Sequence, residues 1–348
     1  MLAGRYRLHD RTRRRFEKTL FVVPGLALLL MSARLLSQFA QDLRLLPDFP
    51  LGIQALLAGI ALYLCAHFLR VARLSLLIEN ASIGLRQICL VHLYTAAVSL
   101  ILPFKLGEAY RVAELGILLR QSGRALLLVW IERAFDIGLI CLMLLFTAFF
   151  HPAAMDMMQP LIVISLAFTF TTLVAFGVLP ENLRRLTLYV IRRYNSDRAL
   201  SVLRLIDAIQ GFIDQGRRLV RGKVLTVFAM SLGIWILELQ VFATFLSAVD
   251  LPIKSLVAGL QVYLSNVSLS GGYGLLHAAG AGQSLAGMAP ALTMAGAATY
   301  HFVVTIPLFL VGTAAAMIYA RTRLLDAGSA SGAGSMQGHP GKLLPWLK

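Results

Sequence analysis

Acidic residues are scarce in this chain and cysteines scarcer still. Its 348 residues hold 17 aspartates and glutamates against 32 lysines and arginines, and three cysteines, Cys65, Cys89 and Cys141. Each cysteine lies in an apolar run without a C-x-x-C partner, which argues against a disulfide framework and against a zinc site. Charged residues of both signs make up 14% of the chain and hydrophobic ones 58%, too apolar for a soluble domain of this size to keep its surface wet. Other absences exclude chemistries. No H-x-x-x-H or H-E-x-x-H spacing, no G-x-S-x-G elbow and no P-loop occurs, so no metal, serine nucleophile or nucleotide cradle is indicated. No cofactor and no metal is expected.

What is present is a series of apolar runs near the roughly 20 residues a helix needs to cross a bilayer. The fold class is therefore all-α, a polytopic integral membrane bundle. The net charge of +15 sits beside those runs, which fits the positive-inside rule and contact with anionic headgroups rather than nucleic acid. Residues 1–19, with Arg5, Arg7, Arg11, Arg13, Arg14, Arg15 and Lys18, place the N-terminus in the cytoplasm. The region opens like a signal peptide, but no clean cleavage site follows and Arg34 interrupts it; it reads as an uncleaved first span, about 20–40. Further spans are expected near 51–69, 125–150, 161–179, 224–248 and 291–320. Arg70, Arg73 and Arg86 fall in a cytoplasmic turn, and residues 324–348 in a flexible cytoplasmic tail.

Parity locates two irregular segments. If the run 88–102 crossed the membrane, Lys105, Arg111, Arg120, Arg124 and the basic loop 181–223 would all lie outside, against the positive-inside rule. A re-entrant hairpin over about 87–122, turning at Pro103 and Gly107, repairs both placements, provided its turn is buried in protein or lines a cavity. The Gly- and Ser-rich stretch about 254–290, broken at Gly271, Gly272 and Gly274, reads as a second hairpin from the opposite face. Together they form an inverted repeat with a site between its halves. The loop 181–223 has apolar residues at helical spacing, which fits interfacial amphipathic helices and equally a solvated basic loop.

Within this frame the ionised residues of one neighbourhood carry the chemistry. Lys105, Glu108, Arg111, Glu132, Arg133 and Asp136 lie between or inside apolar runs, and each costs roughly 2.5–3.5 kcal/mol at a membrane helix centre. They must be solvated in a bundle interior or a wet cavity. Glu132 and Asp136 share a helix face, with Arg133 about 100° around. A helix starting near Gly107 would aim its N-terminus into the membrane beside Lys105 and Arg111, which suits a phosphate or carboxylate. Alternatively Glu108 and Arg111 pair with Asp136 and Arg133 to hold the hairpin in place. Arg34, Glu238, His67 and His92 are isolated in apolar runs, where packing or interfacial roles are expected, although Glu238 lies mid-span and could line the cavity.

Pro103-x-x-x-Gly107-Glu108-x-x-Arg111 followed by Glu132-Arg133-x-x-Asp136 resembles the signature of the lysylphosphatidylglycerol synthase transmembrane-region family, flippase-like membrane proteins, over about residues 20–320. The resemblance implies two re-entrant hairpins and a role in moving or handling lipids or lipid-linked sugars. It singles out Glu108, Arg111, Glu132, Arg133 and Asp136. The second half departs from the pattern: where family members show G-G-x-G-x-x-E and a later arginine, this chain has His277 and His301. Two histidines there mean a subgroup with a different substrate, a site titrating near neutral pH, or a relaxed structural pair. The best-known members also fuse a soluble aminoacyl-transferase domain, whereas here a short tail follows the last span, so no enzyme activity is expected.

The functional expectation is a translocator or handler of a phospholipid or lipid-linked sugar in the bacterial inner membrane, with both termini cytoplasmic. Its partners would be membrane lipids with anionic headgroups and an envelope-lipid biosynthetic enzyme. The alternative is a non-transporting component or enzyme partner in hopanoid, lipid-linked glycan or aminoacyl-lipid synthesis.

Overall fold

Apolar runs without water to satisfy their backbone leave the helix as the self-sufficient conformation, and every element among the described residues is helical. The computed structural model describes residues 22–30, 53–78, 83–102, 106–150, 155–194, 196–247 and 301–333. In chain order these form α1 (22–30), α2 (Ile53–Ile78), α3 (Leu85–Ile101), α4 (Leu106–Leu119), α5 (Ser122–Phe150) and α6 (Met155–Leu173). A π-helical turn (Val174–Val178), α7 (Leu179–Arg193), α8 (Asp197–Val220) and α9 (Val224–Ser247) come next, then a second π-helical turn (His301–Thr305) and α10 (Ile306–Ala333).

Five stretches among the described residues are long and apolar enough to cross a membrane: Ile53–Ile78, Ser122–Phe150, Gln159–Arg193, Val224–Val241 and Val303–Thr322. Each overlaps an expected span, while the span expected at 20–40 is described only over 22–30. The stretch 254–290, where a second hairpin is expected, with Gly271, Gly272, Gly274 and His277, lies outside the described residues, as do Pro103, Lys105 and Arg34. Two boundaries differ from expectation. α2 continues to Ile78 because Leu74, Leu77 and Ile78 extend its buried face, so Arg70 and Arg73 are helical rather than in a turn. α10 continues to Ala333, ten residues into the expected tail.

α3 and α4 form an antiparallel pair: Ser99 meets Gly107, Tyr94 meets Tyr110 and His92 meets Arg111. Seventeen and 14 residues at 1.5 Å each give about 26 and 21 Å, both short of a 30 Å hydrocarbon core. The residue before a proline is driven to extended backbone, and Leu102, at φ −76° and ψ 129°, ends α3 in that way before Pro103. Gly107 is needed at the narrow end, since a Cβ there would lie 2.5 Å from Ser99 Oγ and 2.7 Å from Ser99 Cα.

At its other end α4 closes with a Schellman motif. The Gln121 N–H donates to Gly116 O (3.1 Å) and the Arg120 N–H to Ile117 O (3.3 Å), with Arg120 left-handed at φ 56°. α5 then returns antiparallel to α4. Arg124 at its start donates to Ile78 O (2.5 Å), and Lys223, before α9, donates to Leu76 O (2.8 Å). Two cations thus satisfy the orphan carbonyls ending α2. They place the end of α2, the α4–α5 turn and the start of α9 at one face of the bundle.

The core runs through α2, α3, α4, α5 and α10, with α9 packed along α2 and α6 along α5. Gly312 of α10 sits so close to α3 that a Cβ would fall 2.2 Å from that of Ala97, the small-residue approach common between membrane helices. α7 and α8 bury Leu183 against Ile206 and Ile213, and Ser196 Oγ caps α8 by accepting from the Ala199 N–H (3.3 Å). Leu186, Ile191, Leu205 and Ile209 remain exposed on this pair.

Candidate functional site

A charge in an apolar bundle must find its counter-charge within reach of its own helix, and α5 supplies two carboxylates one turn apart. Glu132 is 0% exposed and Asp136 is buried. Arg73 of α2, 1% exposed, lies between them. Its Nη1 and Nη2 donate to Asp136 Oδ1 (2.5 Å) and Oδ2 (3.1 Å), and its Nε lies 3.5 Å from Glu132 Oε1. Nη1 also donates to Ser231 Oγ of α9 at 2.7 Å. One guanidinium thus joins three helices, using the planar fork that a lysine lacks.

From Glu132 the network continues into α4. Arg111 Nη2 donates to Glu132 Oε2 at 2.7 Å, while Glu108, one turn nearer the α3–α4 tip, pairs with Arg133 (2.6 Å). Arg133 also reaches Asp136 Oδ2 at 3.6 Å. Farther along α2, Arg70 donates to Glu238 Oε1 of α9 at 2.5 Å. Four arginines therefore face four carboxylates across α2, α4, α5 and α9. Within this network the charges balance, as a low-dielectric interior favours. Glu108 and Arg133, with side chains 22% and 32% exposed, are its most open members.

Two histidines extend the chain, and arginine fixes their protons. Arg111 can only donate, so His92 Nδ1, 3.4 Å from its Nη2, accepts. His92 then carries its proton on Nε2 and donates it to His67 Nδ1 at 3.2 Å. His67 is left with an Nε2–H that is buried and has no hydrogen-bond partner among the described residues. A separate polar cluster lies farther along α4, where the Tyr110 hydroxyl bonds both Tyr94 and the fully buried Glu114.

Of the residues singled out from the sequence, the structure brings Glu108, Arg111, Glu132, Arg133 and Asp136 together. The pairing is Glu108 with Arg133 and Arg111 with Glu132, while Asp136 turns chiefly to Arg73. His301 lies in the π-helical turn before α10. Sequence reasoning missed Arg73, Arg70, Ser231 and the His67–His92 contact. For Arg70 and Arg73 a signal existed, since they recur at helical spacing with Leu74, Leu77 and Ile78. Among the described residues no group of three or more His, Cys, Asp or Glu could hold a metal ion.

A family model described as the lysylphosphatidylglycerol synthase transmembrane region matches residues 19–312. Neither the curated proteins nor the solved structures contain a match.

Proposed function

The chain belongs to the lysylphosphatidylglycerol synthase transmembrane-region family, and on that premise we propose that it translocates or handles a phosphate-bearing membrane lipid through the α3–α4 hairpin and its ion pairs. The observation that carries this reading is the graded exposure of the charge network. Arg73 and Glu132 are sealed, whereas the Glu108–Arg133 pair beside the hairpin tip is partly open. A headgroup phosphate arriving there can replace the Glu108 carboxylate on Arg133. Exchange of one anion for another avoids exposing a bare cation to the apolar interior. Arg111 and Arg73 then hold α4 and α2 on α5 while the tip opens.

In this reading α3 and α4 dip into the membrane and return to the face they left, since each is too short to cross and both lie near the cationic end of the bundle. That end is cytoplasmic by the positive-inside rule, in a bacterial inner membrane, with both termini on the same side.

The test is a whole-cell lipid profile with total and outer-leaflet-exposed pools measured separately in wild type, a deletion and Glu108→Gln. Translocation predicts one lipid whose total holds while its exposure falls in both mutants. A fall in its total with a precursor accumulating would move the protein to lipid synthesis, as an enzyme partner. Full exposure in a Glu108→Gln protein that inserts normally would remove Glu108 from the site.

A further inference from the structure

A second site lies away from the ion pairs, where α5, α6, the first π-helical turn, α8 and α9 border an open cleft of about 450 Å3. Pro180 shapes the π-helical turn on its border. Without an N–H, this proline cannot bond the carbonyl of Phe176 four residues back, and Arg217 of α8 donates to that oxygen instead, from Nε at 2.8 Å and also from Nη2. The π-helical turn is thereby held against α8, and the space beside it stays open.

The walls of this cleft are apolar, among them Phe135, Leu173 and Phe176, but three of the residues lining it each carry a buried polar atom without a hydrogen-bond partner among the described residues. The atoms are Trp130 Nε1, Thr169 Oγ1 and Thr172 Oγ1. Helical threonines normally close onto the carbonyl four residues back, as Thr95, Thr147 and Thr187 do here. Thr169 and Thr172 do not, and a buried donor without an acceptor is costly enough to require an explanation. Stacking on Phe168, with ring centroids 5.8 Å apart, fixes the Trp130 indole. A second cleft of about 460 Å3 adjoins this one through Arg217, Val220 and Val224 and is lined by Arg218, Arg221 and Asp214. The cationic cleft and the apolar one are therefore continuous, with the three unsatisfied donors belonging to residues of the apolar one.

We infer that this continuous cleft binds an anionic glycerophospholipid, separate from any lipid at the charge network. The phosphate sits at Arg218 and Arg221. The ester carbonyls, which only accept, take the donors of Trp130, Thr169 and Thr172, and an acyl chain lies along Phe135, Leu173 and Phe176. Three arginines against Asp214 give the cationic cleft its preference for anions. The bound lipid locks α8 to the α5–α6 pair.

Trp130 reports the site directly. The test uses full-length protein with Trp235→Phe and Trp346→Phe, so that Trp130 is the one remaining tryptophan, titrated in detergent with acyl-brominated phosphatidylglycerol or phosphatidylcholine. Saturable quenching is expected, stronger for phosphatidylglycerol. Arg218→Gln with Arg221→Gln should weaken it roughly 10- to 30-fold. Arg217 is left in place because it holds the π-helical turn. Thr169→Val with Thr172→Val keeps the side-chain shape and should weaken ester-linked phosphatidylglycerol severalfold but leave its ether-linked analogue unchanged. Quenching that rises linearly with lipid fraction, equal for both headgroups and unaffected by either pair of substitutions, overturns the site. Displacement by inorganic phosphate at the concentration at which lipid itself competes would overturn the lipid as its ligand.

Discussion

Arg73 and Asp136, 63 residues apart in the chain, hold each other through two hydrogen bonds of 2.5 and 3.1 Å across the α2–α5 interface. Breaking such a pair from one side strands a charge in the bundle, and this generally costs roughly 3–5 kcal/mol. Arg73→Gln is therefore expected to lower thermal stability in detergent sharply, because Asp136 and Glu132 lose the cation between them. Asp136→Asn combined with Arg73→Gln should recover part of the loss. A coupling energy of about 0.5–3 kcal/mol between the two is the expected range for residues in one network. Strict additivity in thermal melts would show that the bond contributes nothing specific.

The contrast with Arg133 follows from exposure. Its pair with Glu108 is partly open, so removing one partner strands less buried charge than removing Arg73 does. Arg133→Gln should therefore lower the melting temperature less than Arg73→Gln does, while reducing the lipid exposure that Glu108→Gln also reduces. Equal destabilisation by Arg133→Gln and Arg73→Gln would make both pairs structural.

His92 is both acceptor for Arg111 and donor to His67. His92→Phe keeps a ring in place but removes both roles, leaving an arginine N–H and a histidine nitrogen buried without partners. A loss of about 1–3 kcal/mol is expected, the cost of an unsatisfied buried polar group. His92→Gln offers an amide within reach of the same two positions and should recover part of it. Comparing the two in denaturant titrations separates hydrogen bonding from ring packing.

Much of this site was legible in the sequence where it was local. Glu132 and Asp136 share a face because they are four apart on one helix, and Pro103 with Gly107 announced the break between α3 and α4. What could not be read was which cation each carboxylate meets. Arg70 reaches Glu238 across 168 residues and His67 reaches His92 across 25, pairings that depend on how whole helices lie together. Arg73 was misplaced for a different reason. A charged residue ends a simple count of apolar residues, yet the buried face of α2 continues through Leu74, Leu77 and Ile78. A helix can carry an arginine past that limit when another helix brings a carboxylate, and no single run of sequence records the second helix.

Gly107 tests whether α3 and α4 must approach as closely as they do. A Cβ there would meet both the hydroxyl and the backbone of Ser99. Gly107→Ala should destabilise the protein by about 1–3 kcal/mol, the range for overpacking. Ser99→Gly should fail to rescue it, because Ser99 Cα, 2.7 Å away, remains. Gly138 in α5 has nothing within 4 Å of its would-be Cβ and serves as the control. Alanine there should be neutral or stabilising by up to about 1 kcal/mol through helix propensity. Equal melting shifts for the two substitutions would refute the close contact.

Arg120 carries the last prediction, and it has the opposite sign. The Schellman motif that ends α4 places this residue in the left-handed region at φ 56°, where a side chain with a Cβ costs roughly 1–2 kcal/mol and glycine does not. The motif's two hydrogen bonds are made by backbone N–H groups, Arg120 to Ile117 and Gln121 to Gly116, so they survive loss of the side chain. Arg120→Gly is therefore expected to raise thermal stability by about 1 kcal/mol, reduced somewhat by the greater freedom glycine adds to the unfolded chain. Arg120→Ala keeps the Cβ and so the strain, and should give no such gain. A stabilised glycine variant beside an unchanged alanine variant would assign the effect to backbone conformation rather than to the lost charge. Equal gains in both would assign it to relief of repulsion among the cations at this end of the bundle.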